Sequence, residues 1–520
     1  MTTLIPPKPK RQRKNPTLTT STSANGTAVA IVCQFRNAKD GTLLGPSVSL
    51  PADTGREGLE LLVNNLRGTA EDPVPFSFHL QLPSKAGTDA EPTNEEGLRL
   101  TIAKSIQHDL LNDPKHSSKL STEDVFVIDC EPEAVFRVRE ITRCSSSLDG
   151  HASPILCASF SPTGKYLATG SGDNTCRLWN LDSETPAATL AGHQNWVLCV
   201  EWDGLERFVA TGSMDNQVRL WDPKTGKCSG EQSLKGHTKW ITSLSWEPVH
   251  INPMSPRLAS SSKDSTVRVW NAKNRKLEFT LGGHTASVNQ VRWGGEGVIF
   301  TASSDRTVKL WDGKDGKLIR TLSEHAHWVN TLALNTDFLL RTGPFDQHAK
   351  IPKSEEEAKE LALKRYQSFV ATNPEQLISG SDDHTLFLWP ALNSTPPPSN
   401  PKKPVARLTG HQKQVNHVAW SPDGRFIASA GFDNAVKLWD GRTGKFIASL
   451  RGHVAAVYRV SWSSDSRMLV SASKDSTLKL WDLKTFKIRV DLPGHADEVY
   501  CVDFVADKIA SGGRDKKVKM

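Results

Sequence analysis

The sequence predicts a mainly β protein: eight consecutive repeats of short strands, with a small α+β domain in front of them. Three observations carry this expectation. A repeat His, preceded by Gly in seven of eight copies, recurs along the C-terminal part of the chain at intervals of 41–47 residues, with one interval of 86. Seven of the eight repeats then show a turn Asp followed six residues later by Trp. The charge also changes along the chain: residues 1–27 carry +5, residues 28–134 carry −8 and residues 135–520 carry +10. Self-similarity at a fixed period is the mark of a repeat architecture.

The composition narrows the class without naming a function. Of 520 residues, 37% are hydrophobic and 23% charged, which is ordinary for a globular protein. No apolar run approaches the ~18 residues of a membrane-spanning helix, so no membrane partner is expected. The N-terminus, MTTLIPPKPKRQRKNP, has no apolar core of a secretory signal. The eight cysteines include no C-x-x-C pair and no zinc spacing with His, which suits small buried hydrophobes in a reducing compartment. Residues 1–27, rich in Pro, Thr and Ser, should be disordered. The five basic residues of KPKRQRK suit nuclear import or RNA contact.

Residues 28–134 read as a separate small domain. AVAIVCQF (28–35) and GTLLGPSVSLP (41–51) read as strands joined by a turn at Lys39-Asp40-Gly41. REGLELLVNNL (56–66) is an amphipathic helix with Leu59, Leu62, Val63 and Leu66 on one face and Gly68 ending it. FSFHLQL (76–82), the segment around Leu98, Leu100 and Ile102, and VFVIDC (125–130) complete the strands. Two strands, a helix, then further strands suggest an α+β ubiquitin-like grasp fold.

The repeats occupy residues 150–520. Their Gly-His pairs are Gly150-His151, Gly192-His193, Gly236-His237, Gly283-His284, Gly410-His411, Gly452-His453 and Gly494-His495, with Glu324-His325 as the eighth. The Asp/Trp pairs are Asp173/Trp179, Asp215/Trp221, Asp264/Trp270, Asp305/Trp311, Asp383/Trp389, Asp433/Trp439 and Asp475/Trp481. The Trp partner of Asp515 would fall at position 521. This pattern resembles the WD-repeat family, and the resemblance implies an eight-bladed β-propeller with four strands per blade. Segments such as CASFSPTGKYLATGSGDNTCRLWN agree, since apolar residues alternate over four to six positions between turn signals. The repeat His, a nearby Ser or Thr, the turn Asp and the indole can form a buried hydrogen-bonded chain, so these His and Asp residues are read as structural. A propeller must close its ring to remove open edges. The alternating stretch AVFRVREITR (134–143) is the expected outer strand of the blade that holds Asp515.

The interval of 86 contains one Asp/Trp pair, so it is one repeat with an insertion at about 341–375. SEEEAKELALKRYQSF reads as a helix in which Ser354 and Glu357 form a capping box. Glu355/Lys359 and Glu360/Lys364 are favourable pairs one turn apart. Ala358, Leu361, Ala362, Tyr366 and Phe369 make an apolar stripe, which either packs on the propeller or docks a partner. NSTPPPSNPKKP (393–404) is a Pro-rich loop.

The basic tail, the domain containing DPVPFSF, the junction AVFRVREITRCSSS and repeats containing NWVLCVEW and KWITSLSWEP together resemble the Notchless family of large-subunit ribosome assembly factors. The resemblance covers essentially the whole chain. It implies a non-enzymatic adaptor in the nucleus and nucleolus, monomeric within the particle. The propeller would dock on pre-ribosomal proteins and rRNA. The ubiquitin-like domain would bind the metal-ion-dependent adhesion site (MIDAS) of the AAA ATPase Midasin. There a carboxylate from the loop SSKLSTEDVF completes the oxygen shell of a Mg²⁺ supplied by the partner. The family motif places that role on Glu123, with Asp124 its neighbour, and no cofactor is expected on this chain alone. On the propeller, the position three after each repeat His reads Pro154, Trp196, Trp240, Ser287, Trp328, Gln414, Ala456 and Glu498, so Trp196, Trp240 and Trp328 either anchor a partner or pack under neighbouring loops, and are candidate partner-binding residues. No P-loop, H-E-x-x-H or G-x-S-x-G motif is present, so no enzyme is expected. A WD-repeat signalling scaffold or ubiquitin-ligase substrate receptor is the alternative, because propellers serve those roles as well.

Overall fold

The computed structural model describes residues 30–37, 42–51, 53–67, 76–81, 99–101, 125–132, 144–228, 233–345, 352–390, 400 and 402–520. The tail 1–27, the turn at 39–41, Glu123, Asp124, the stretch 134–143 and most of 393–404 therefore lie outside the described residues. The chain divides into two compact units, Met1–Val135 and Phe136–Met520.

In the first unit, strand β1 (Ala30–Asn37) pairs antiparallel with β2 (Val48–Pro51) and parallel with β5 (Val125–Pro132). Strands β3 (Phe76–Gln81) and β4 (Arg99–Thr101) extend the sheet in the order β2-β1-β5-β3-β4. Alternate residues of each central strand share a face, and that face is apolar: Ile31, Cys33 and Phe35, then Phe76, Phe78 and Leu80, then Phe126, Ile128 and Cys130, all buried. Helix α1 (Arg56–Leu66) closes over them with buried Leu59 and Val63 and partly buried Leu62 and Leu66. Burying each such side chain stabilises by roughly 1.5–3 kcal/mol. Arg36 and Asp129 sit opposite one another on the parallel pair, and their side chains meet at 2.7 Å. Among the described residues of this unit, one helix covers a mixed sheet in which β1 and β5 run parallel at the centre.

Among the described residues, the second unit contains eight antiparallel sheets, seven of four strands and one of three. They are numbered here as blades 1 (155–191), 2 (197–221), 3 (241–281), 4 (288–322), 5 (329–409), 6 (415–451), 7 (457–492) and 8 (499–519). In blade 2 the fourth-strand position is marked by two isolated pairings, Val218 with Leu234 and Trp221 with Cys228. The first strand of each blade is innermost. These strands neighbour one another in chain order, and that of blade 8 returns to that of blade 1, so the sheets form a ring. Apolar clusters run from each blade into the next, as Trp179 and Phe160 do with Cys501 and Ala510.

The ring is closed by strand β6 (Ser147–Leu148), which pairs Leu148 with Val518 and Ser147 with Lys519. The Ser145 N–H adds a bond to the Met520 carbonyl at 2.7 Å. Closure by a segment upstream of the first repeat is thus present, and among the described residues the outer position beside Val518–Lys519 is held by Ser147–Leu148; the expected strand 134–143 lies outside the described residues.

Blades are also stitched near the axis. Thr242 donates to the Val288 carbonyl (2.6 Å), Asn289 to Val329 (2.8 Å) and Asn416 to Tyr458 (2.7 Å), each one blade onward. Indoles at the far ends of the innermost strands point back the other way: Trp202 donates to Ser159 at 3.0 Å and Trp462 to Ala419 at 3.1 Å.

The insertion in blade 5 holds two helices, α2 (Asp337–Thr342) and α3 (Glu355–Thr372). Ser354 caps α3 by accepting from Glu357 N–H at 3.1 Å, while the Glu357 carboxylate takes the Lys353 N–H at 2.8 Å, one residue before the cap. Ala358, Ala362 and Tyr366 are buried, Ala358 and Ala362 against Val249 of blade 3. The Tyr366 ring stacks on His250 at 4.7 Å. The apolar stripe is consumed by the propeller itself, and α3 turns polar residues outward.

Candidate functional site

Each repeat His stands just before an innermost strand and reaches the middle of its own blade. In blade 1, His151 Nδ1 lies 2.8 Å from Asp173 Oδ2 and Nε2 lies 2.9 Å from Thr169 Oγ1, to which Trp179 Nε1 donates at 2.8 Å. Asp173 also accepts from Ala152 N–H and from Thr175, which makes Nδ1–H the donor to the carboxylate and leaves Nε2 to accept from the hydroxyl. The same set recurs with His193/Asp215, His237/Asp264, His284/Asp305, His325/Asp383, His411/Asp433 and His453/Asp475, with His–Asp distances of 2.7–2.9 Å. His495 and Asp515 meet at 2.8 Å, with Ser511 on the other ring nitrogen. Burial lowers the pKa of His151, His453 and His495. Burial works to raise the Asp173 carboxyl, but bonds from Thr175, His151 and Ala152 outweigh it and hold the group at about 2. With both ring nitrogens engaged inside the blade, these imidazoles are not placed to act as a base or bind a metal. The repeat His and Asp residues are internal struts.

The loops carrying these histidines form one face of the ring, at the N-terminal ends of the innermost strands. On it Trp196, Trp240 and Trp328 are 49%, 39% and 52% exposed, on blades 2, 3 and 5. Among the described residues no loop covers them. Lys263 Nζ lies 4.2 Å from the Trp240 ring centre, and the His327 ring lies 5.3 Å from that of Trp328. At the equivalent position of blade 8, Glu498 accepts from Tyr458 Oη at 3.0 Å and faces Lys474 at 3.6 Å. Ala456 of blade 7 is buried.

The innermost strands surround a channel of about 620 Å³. Helix α2 leaves the C-terminal end of the first strand of blade 5 and lies across the end of the channel opposite the tryptophans. Arg341 of α2 donates to both oxygens of Asp503 in blade 8, at 2.9 and 3.0 Å. Asp503 also accepts from the Phe160 N–H of blade 1 at 3.0 Å. Arg292 of blade 4 lies 3.5 Å from Glu201 of blade 2 and 3.8 Å from Asp337 of α2. This network joins blades 1, 2, 4, 5 and 8 through residues that sequence reasoning did not single out. Glu123 and Asp124, the other candidate site, are outside the described residues.

Glu375, where the insertion rejoins the blade, is buried and accepts from Gly295 N–H (2.9 Å), Tyr366 Oη (3.0 Å) and Thr336 Oγ1 (3.2 Å). Burial outweighs these bonds and pushes its carboxyl up to about 7. A raised folded value means that the folded state keeps a proton that the unfolded chain releases. The stability so contributed is full below the unfolded value of about 4.5 and is lost as pH rises through about 7. Glu375→Gln keeps an accepting oxygen and removes the titration. Relative to wild type it should gain roughly 2–4 kcal/mol between about pH 5 and about pH 8.5, read from urea midpoints at both. An unchanged difference would show that the carboxyl does not titrate in this range.

Eight sheets in a ring, with a His–Asp pair in every blade, define a WD-repeat propeller. The WD domain, G-beta repeat model matches residues 142–180, 184–222, 227–271, 275–312, 402–440, 444–482 and 486–520, passing over blade 5, where the insertion breaks the period. The NLE (NUC135) domain model matches 31–104. The chain is 48% identical over 455 residues to Ribosome assembly protein 4 of Saccharomyces cerevisiae, covering 86% of this chain and 85% of that one. It is 46% identical over 409 residues to Notchless protein homolog of Arabidopsis thaliana (78% and 80% covered) and 44% identical over 384 residues to Protein Notchless of Drosophila melanogaster (73% and 72%). The chain belongs to the Notchless family. Among solved structures, the computationally designed Ika8 protein matches with a TM-score of 0.57 at 24% identity, over 72% of this chain and 98% of that one, a likeness of fold alone.

Proposed function

We propose that the chain is a non-enzymatic assembly factor of the large ribosomal subunit. It works as an adaptor: the propeller sits on the pre-ribosomal particle, and the N-terminal unit, read as ubiquitin-like, is gripped by the MIDAS domain of Midasin. ATP hydrolysis by that partner then remodels the particle. The observation that carries the reading is the 48% identity to Ribosome assembly protein 4, which extends over 86% of the chain. The tetrads support a non-catalytic role, since their hydrogen-bonding capacity is spent inside the blades. Glu123 supplies the carboxylate oxygen for the partner's Mg²⁺, with Asp124 beside it, because hard divalent cations select such oxygens. The metal is the partner's. Trp196, Trp240 and Trp328 face the particle. The site of action is the nucleus, within it the nucleolus, with KPKRQRK as the import signal. Depleting the protein from cells should lower large subunits relative to small ones in a polysome profile. A normal ratio after full depletion would reject the reading.

A further inference from the structure

We propose that the tryptophan face binds an unpaired segment of RNA, with bases stacked on Trp196, Trp240 and Trp328 and phosphates held by the cations between them. The inference rests on the assembly reading for the source of the RNA and goes beyond it in naming the ligand of this face.

The three indoles stand singly on separate blades. Val454 of blade 7 is the one other exposed large hydrophobic residue among the described loops of this face, so the rings do not form the contiguous apolar core of a protein hot spot. Cations stand among them instead. Lys239 and Lys263 are exposed in blade 3, Arg306 in blade 4 and Lys413 where the chain enters blade 6, and none of these side chains makes an ion pair among the described residues. Lysine is depleted in protein interfaces, yet here one lies on the face of Trp240. The turn aspartates of blades 2 to 6 are hydrogen-bonded to their histidines and largely buried, with side chains 5–8% exposed, so their oxygens are not presented to a ligand on this face. Of the remaining acids on this arc, Asp382 is engaged by Asn330 and by His327, the latter at 3.6 Å, leaving Glu324. Acidic Asp497 and Glu498 fall on blade 8, outside the arc, and each faces a cation of its own. Isolated aromatic platforms separated by unpaired cations are what a single strand needs: π-faces for bases and charge for the backbone. A duplex hides its bases and would leave the indoles unused.

The test uses the full-length protein with a fluorescein-labelled 12-nucleotide oligouridylate and a 12-base-pair RNA duplex as probes. The single strand should bind more tightly and quench tryptophan fluorescence. Each Trp→Ala change at 196, 240 or 328 should weaken it roughly five- to hundred-fold, and Trp→Phe should restore most of the loss. Lys239→Gln and Lys263→Gln should each lower the slope of log K against log salt by about 0.7. The basic tail is common to all variants, so it does not enter these differences. A triple Trp→Ala variant that binds like wild type, or a preference for the duplex, overturns the proposal. Sedimentation separates it from the assembly reading. Wild type on large-subunit precursors, with RNA binding indifferent to the tryptophans, rejects the RNA face alone. Trp-dependent RNA binding by a chain that never joins a particle rejects the assembly reading alone. Loss of the triple variant from particles, when wild type binds no free RNA, means that the face meets a protein and overturns the proposal.

Discussion

Glu123→Ala should abolish the Mg²⁺-dependent binding of this protein to the Midasin MIDAS domain while the propeller still loads onto pre-ribosomes. Truncating a desolvated charged contact typically costs about 2–5 kcal/mol, so affinity should fall by roughly thirty- to several-thousand-fold. Glu123→Asp should lose binding as well, because one CH₂ removes about 1.5 Å of reach and Mg²⁺ demands near-ideal octahedral geometry. The two variants should keep the stability of wild type to within roughly 0.5 kcal/mol, as surface substitutions do. In cells the expected outcome is dominant, because a chain that occupies particles without coupling them to the ATPase blocks the wild-type copy. The measurement is a pull-down with purified MIDAS domain, with and without chelator, for wild type, Glu123→Ala and Asp124→Ala. Retained binding by the Glu123 variants, or wild-type binding indifferent to chelator, would show that the carboxylate is elsewhere.

Asp264→Ala should be among the most destabilising single changes in the propeller. One carboxylate oxygen accepts from His237 Nδ1 at 2.8 Å and Thr238 N–H at 3.0 Å, the other from Thr266 N–H at 2.9 Å and its hydroxyl at 2.6 Å. Alanine strands four donors in a site that water reaches poorly, and His237 loses the partner that fixes its tautomer toward Ser260 and, through it, Trp270. The expected loss is about 3–5 kcal/mol, the cost of removing one member of a buried charged network. Asp264→Asn, which can accept on one side only, should fall between. A urea midpoint within about 0.5 kcal/mol of wild type would contradict the structural role given to the repeat Asp.

The repeats were legible because their chemistry is periodic: a Gly-His, a turn Asp and a Trp in fixed phase need no knowledge of contacts. The N-terminal unit was legible for a related reason, since Ile31, Cys33 and Phe35 alternate while Leu59 and Val63 keep helical spacing. What the sequence hid lacks periodicity. The closing strand is two residues long, below any alternation signal. Helix α2 has six residues, too few to show a face. The channel network hides for another reason: Glu201, Arg292, Arg341 and Asp503 come from different blades and meet only because the ring closes. For the exposed tryptophans, position three after His located them, but exposure itself depends on how the loops lie, so sequence left open whether they were covered.

Sucrose-gradient sedimentation of tagged protein from nuclear extract, with the RNA in each fraction identified, tests the central claim most directly. Wild type should co-sediment with precursors of the large subunit, and Glu123→Ala should accumulate on them. Protein that stays in the light fractions, or that travels with a ubiquitin ligase instead of precursor rRNA, would contradict it.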